Sequence, residues 1–146
     1  MRQNGEAMGK IYTTLKVTNH ADEIRADDGT IKPEQVRTIE IQEVLIDTGA
    51  TTLCLPKGFI EQLGLKAIRA VLVATASGVS ETHIYEDAKV SLLGREGTFE
   101  CLELPGGEPP LLGVIPLESL GIEPELRTQT LRLLPMEKND TYLTIL

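Results

Sequence analysis

Val44–Pro56 reads VLIDTGATTLCLP. Three apolar residues run into one carboxylate, Asp47. A Thr-Gly-Ala turn follows, then two more threonines and a second apolar run. Val44–Ile46 has the composition of a strand, Thr48 can hydrogen-bond locally, and Gly49 permits a sharp backbone path. Small residues around the acid leave room for a ligand. An acid placed like this serves a structural turn, a phosphate cradle or a catalyst, and the rest of the chain has to decide among them.

The surroundings are rich in strands. In Lys10–Val17, Ile11, Thr13, Leu15 and Val17 fall on one face and Tyr12, Thr14 and Lys16 on the other, the period of a half-buried strand. Thr18–Val36 is polar, with Asp28-Gly29 and Pro33 as breakers, and is expected to be a long loop. Arg37–Asp47 is strand-like throughout, as one strand or as two short ones meeting near Gln42-Glu43. Lys57–Leu65 predicts a short helix stopped by Gly64. Ala67–Leu93 places apolar strands on either side of Ala76-Ser77-Gly78, a hairpin signal. Gly94–Phe99 is expected to turn, and Thr98–Leu104 to be a further strand. Pro105–Pro110 reads as a loop. A second short helix is expected to start at Pro116. Thr130–Pro135 and Thr141–Leu146 are final strand candidates. Short strands at close spacing predict an all-β domain, closed or partly closed as a barrel.

Composition narrows the function. The chain has 146 residues, which suits one domain, Met1–Leu146, with a core over roughly 9–135. Apolar residues are 41% and aromatics only 3%, so Leu, Ile, Val and Ala must build the core. The net charge of −8, with no basic cluster, argues against nucleic acid and anionic membranes as partners. Base stacking on aromatic side chains is equally unsupported. No apolar run approaches the roughly 18 residues of a membrane span, and Met1–Lys10 has no apolar signal core, so a cytoplasmic protein is expected. Cys54 and Cys101 sit in apolar runs and are expected to be buried, reduced thiols. With His20 and His83 they show no ligand spacing, so no metal and no cofactor are expected.

Asp47-Thr-Gly-Ala-Thr also fits the phosphate-binding turn of actin and the sugar kinases, but those are large folds with a second Gly-rich loop that this chain lacks. An aspartyl nucleophile of the haloacid dehalogenase type needs a second acid two residues on, where Gly49 stands. A third family fits more of the chain. Val44–Pro56 resembles the active-site segment of retroviral-type (retropepsin-like) aspartic proteases. Leu111–Ile122, LLGVIPLESLGI, resembles that family's later apolar-apolar-Gly motif and short helix. The hairpin around Ala76–Gly78 falls between them, where the family has its flap. The three come in the family's order, and the whole resembles the small bacterial-type members.

The resemblance implies a retropepsin-like closed barrel with a flap hairpin and one or two short helices. It implies Asp47 as the catalytic acid, with Thr48, Gly49 and Ala50 as the active-site turn and dimer brace. Ala76, Ser77 and Gly78 would form the flap, and Leu111, Leu112 and Gly113 the floor of the substrate cleft. Aspartic proteolysis uses two carboxylates that share a proton and activate a water. This chain carries one such Asp motif, so the resemblance implies a homodimer, an endopeptidase acting on peptides or unfolded protein. Terminal strands, Lys10–Val17 and Thr141–Leu146, would help close the dimer unless they pair within one chain. The flap carries a single Gly, where retroviral enzymes are Gly-rich. The alternative is a catalytically inactive member, a dimeric peptide-binding or interaction module.

Overall fold

The computed structural model describes residues 10–135. The alternation at its start becomes strand β1 (Ile11–Asn19), with Ile11, Leu15 and Val17 buried and Tyr12, Thr14 and Lys16 exposed. β1 runs antiparallel to β2 (Thr38–Ile46). Thr13 pairs with Val44 and Leu15 with Ile41, so one β1 residue faces two on β2. That is a β-bulge at Gln42-Glu43, and Glu43 takes φ +58° there. The bulge resolves a conflict of parity. Ile41 and Val44 are three residues apart and would point to opposite faces of a regular strand. With the extra residue between them, both enter the core. Arg37–Asp47 therefore holds one bulged strand.

Onward from β2 come β3 (Leu53–Leu55), α2 (Lys57–Leu63), the hairpin of β4 (Lys66–Thr75) and β5 (Gly78–Leu92), β6 (Arg95–Glu103), β7 (Leu111–Leu112) and α3 (Val114–Leu120). The sheet order is β1-β2-β7-β3-β6-β5-β4, and β1 also pairs with β5. That last ladder closes the sheet on itself and leaves β4 outside as the free arm of the hairpin. The fold is all-β, and the hairpin expected around Ala76–Gly78 is present. The enclosed core is aliphatic: Leu15, Val17, Val44, Leu53, Leu55, Leu63, Val90 and Leu112 are fully buried. Burying each such side chain is worth about 2 kcal/mol. No helix among the described residues is long and apolar enough to cross a membrane.

Several expectations are corrected. Thr18–Val36 is not a loop: it holds α1 (His20–Asp27) and a 3-10 turn, Pro33–Gln35. Asn19 caps α1 by accepting the Asp22 N–H at 3.0 Å. Asp22, 2% exposed, accepts from Arg37 N and Nε at 3.0 and 2.9 Å. Arg25 bonds the same carboxylate at 3.1 Å. Three helices are thus present among the described residues, where one or two were expected. Residues 94–99 mostly belong to β6, and the turn is Leu93-Gly94, both at positive φ. The helix expected from Pro116 begins at Val114. A separate hairpin of β8 (Ile122–Glu125) and β9 (Thr130–Leu133) follows it. β9 matches the strand expected in Thr130–Pro135. Thr141–Leu146 lies outside the described residues.

Candidate active site

β2 ends at Ile46 and delivers Asp47 into a turn, where Thr48 and Gly49 are exposed. The turn is fixed by backbone. Gly49 N–H donates to Asp47 Oδ1 at 2.9 Å, and Ala50 N–H to the Asp47 carbonyl at 3.0 Å. Asp47 N–H donates to the Leu112 carbonyl at 3.0 Å, tying the acid to β7.

The segment Leu111–Gly113 lies directly against this turn. Gly113 N–H bonds the Thr52 carbonyl, Val114 N–H that of Ala50 and Ile115 N–H that of Thr51, each at 2.9 Å. A Cβ on Gly113 would stand 2.6 Å from Ala50 O and 2.7 Å from Thr51 C and Thr52 N. All three are backbone atoms, so any side chain at this position displaces the turn. The two motifs singled out in the sequence thus form one unit, with α3 starting at the clamp.

Cross-strand register sorts the residues around Asp47 into two rows. Ile11–Ile46, Ile46–Leu112, Leu112–Leu53, Leu53–Cys101 and Cys101–Tyr85 are successive partners. Partners point to one face, and this row is core: Leu112, Leu53 and Cys101 are 0% exposed. The neighbouring row runs Tyr12–Leu45–Leu111–Cys54–Leu102–Ile84. It faces the other way. Leu45, Leu111 and Leu102 are only half-buried and Tyr12 is 49% exposed, while Cys54 and Ile84 in the same row are buried. By strand alternation, Asp47 belongs to the side of Leu45. An apolar surface therefore runs up to the carboxylate. Of the expected floor, Leu111 lies on this surface, whereas Leu112 belongs to the core row and Gly113 to the clamp. Tyr12, Leu45, Cys54 and Leu102 did not emerge from the sequence. The alternation of Val44 and Ile46 against Leu45 was the available signal.

The hairpin tip is Ala76-Ser77, with Gly78 at φ +123° opening β5. Its hydrogen bonds are internal: Thr75 Oγ1 accepts Ser77 N–H at 3.3 Å and donates to the Gly78 carbonyl at 3.0 Å.

Cys54 and Cys101 are free and buried. They occupy opposite rows, so their side chains point away from each other. Burial pushes the Cys54 thiol up to about 11, and the Asp47 and Glu108 charges add to it. Cys101 is also raised, chiefly by burial. Neither is a thiolate nucleophile at neutral pH. Among the described residues, no three His, Cys, Asp or Glu side chains converge as a metal site.

A family model described as aspartyl protease matches residues 28–115. The chain belongs to the aspartyl protease family. The matched span covers the Asp47 turn, the β4–β5 hairpin and the clamp through Gly113. Among solved structures, this aspartyl protease family member is similar to a retropepsin-like aspartic protease from Rickettsia conorii. Identity is 19%, over 78% of this chain and 81% of that one, with a TM-score of 0.44. No curated protein matches the chain.

Proposed function

We propose that the protein is a homodimeric aspartic endopeptidase built from one catalytic domain per copy, with Asp47 of each copy meeting across a twofold axis. The observation that carries this reading is the exposed, backbone-clamped turn at the end of β2. Its only carboxylate bond among the described residues comes from Gly49 N–H, and no second acid is hydrogen-bonded to it. The second carboxylate has to come from another copy, in an isologous arrangement. Two carboxylates about 3 Å apart share one proton. The ionised one takes a proton from water, the water attacks the amide carbonyl, and the protonated one hydrogen-bonds the carbonyl oxygen. Thr48, at the apex of the turn, braces the two turns against each other.

The substrate is an extended peptide or unfolded segment. The half-buried Leu45, Leu111 and Leu102 supply an apolar wall beside Asp47, which favours apolar side chains near the cleaved bond. The β4–β5 hairpin, with Ala76, Ser77 and Gly78 at its tip, closes over the peptide and pairs with its backbone. Cleavage of a peptide library by wild type and Asp47→Asn tests the assignment. Loss of about 10³-fold or more is expected in the variant. Cleavage that survives the substitution would contradict the assignment, and tight peptide binding without cleavage by wild type would favour a non-catalytic binding module.

A further inference from the structure

The row that runs from Tyr12 through Leu45, Leu111 and Leu102 to Ile84 does not stop at β5. Ile84 pairs in turn with Arg69 on β4, so Arg69 continues the same face and is the one charged member of the row. Val71 and Val73 share that face by alternation and are half-buried. Arg69 is held from β6. Its Nη1 donates to Glu100 Oε2 at 3.2 Å and its Nη2 to Glu100 Oε1 at 3.3 Å. Glu100 stands on the face of Leu102, and Thr52 Oγ1 donates to its carbonyl at 2.8 Å. The pair is open to solvent, with the Arg69 side chain 53% and that of Glu100 47% exposed. Glu100 occupies only the end of the guanidinium. Among the described residues, Arg69 Nε has no partner. The chain shows elsewhere what that edge can hold: Arg37 uses Nε and Nη2 together on the Asp22 carboxylate, at 2.9 and 3.0 Å.

We infer that Arg69 selects the substrate: the edge formed by its Nε and Nη2 binds an acidic side chain of the peptide, several residues from the cleaved bond, with Glu100 as its positioning partner. The inference rests on the protease reading above and deepens it by naming a second, distal preference. Three observations carry it. Register places Arg69 at the end of the apolar wall on the Asp47 side, so a peptide lying along that wall reaches it. Five strand spacings of about 4.8 Å separate Leu45 from Arg69 along the curved sheet, and an extended peptide advances about 3.3 Å per residue. The side chain that meets Arg69 is therefore at most about seven residues from one placed at Leu45. Next, Glu100 fixes the guanidinium, so its free edge is oriented before a ligand arrives and less side-chain entropy is lost on binding. Finally, an acid is the class that fits. The edge is planar and donor-only, and matches a carboxylate with two parallel hydrogen bonds. Glu100 has both oxygens on Arg69, whereas the Nε edge of Arg69 is unused. Glu100 offsets part of the positive charge, which makes the preference moderate.

Cleavage of a peptide series tests this. One apolar sequence carries Glu, Gln or Lys at each position in turn, out to about seven residues on either side of the cleaved bond. Ratios of kcat/KM are taken within each protein, so a general loss of activity cancels. Wild type is expected to favour Glu over Gln about fivefold at one such distance, and the advantage should fall as salt is raised. Arg69→Lys keeps the charge and loses the planar edge, so the ratio should drop to about twofold or less. The double variant Arg69→Glu with Glu100→Arg keeps an ion pair between β4 and β6 but reverses its sense, and should favour Lys over Glu at the same distance. A pair that only holds the hairpin would give one ranking in all three proteins. That result, or a wild type with no preference at any distance, would overturn the subsite while Asp47-dependent cleavage leaves the protease reading standing. A wild type with no Asp47-dependent cleavage of any peptide would overturn both.

Discussion

The Gly49 N–H holds Asp47 Oδ1, and in the proposed reaction the other carboxylate oxygen meets the water or the substrate carbonyl. Gly113 matters too, for a purely steric reason. Gly113→Ala places a methyl 2.6 Å from Ala50 O with no flexible neighbour to yield. A shift of about 1 Å in the turn is expected to cost on the order of 10²-fold in kcat/KM, with the fold retained. Unchanged kcat/KM would contradict the clamp. Cys54 gives a residue-scale prediction with a definite sign. Its folded value, about 11, lies above the usual 9.0, so its contribution is intact below pH 9 and is lost as pH rises toward 11. The loss is on the order of 1.4 kcal/mol per pH unit in that window. Urea unfolding of Cys54→Ala beside wild type at pH 7, 9 and 11 measures it. The gap between the two should narrow as pH rises, and a constant gap would refute it.

At the scale of elements, α1 and the active-site turn show why some of the fold was legible in the sequence and some was not. The Asp47 turn and Leu111–Gly113 are contiguous motifs, so both could be recognised by resemblance to a family's segments, although residue types alone left the role of the turn open and did not separate Leu111 from the buried Leu112. The helix α1 could not. One of its few apolar side chains, Ile24, is exposed, and much of its anchoring comes from Asp22 meeting Arg37, fifteen residues away. The apolar row beside Asp47 was hidden for a similar reason: Leu45, Leu111, Cys54 and Leu102 come from four strands, and only register aligns them. The Asp22–Arg37 pair carries its own prediction. Hydrogen bonding from Arg37 holds the Asp22 carboxyl below its usual 3.8, so its contribution is full above that pH and lost as pH falls through the lowered value. Arg37→Ala should cost about 1–2 kcal/mol at pH 7, because the half-exposed guanidinium is the carboxylate's main side-chain partner while the residue-37 backbone N–H and Arg25 remain bonded to it. The difference from wild type should shrink below pH 3.8. Denaturant unfolding at pH 7 and pH 3 checks this, and an equal difference at both would contradict it.

On the scale of the whole molecule, the closed sheet is the mount from which the Asp47 turn and the β4–β5 hairpin project. In the proposed reading, one chain supplies half of a catalytic pair. In the proposed dimer, the charge of −8 on each copy opposes assembly at long range, so apolar contact has to supply the affinity. The most direct measurement is an activity titration of wild-type enzyme with Asp47→Asn protein, at concentrations where the chains exchange freely. If the site is shared, mixed dimers hold a single Asp47 and are inactive. Activity per wild-type chain should then fall to about half at equal amounts, and to about a tenth at ninefold excess of the variant. Activity that stays constant as the variant is added would mean that each chain cleaves alone, and would contradict a site built across two copies.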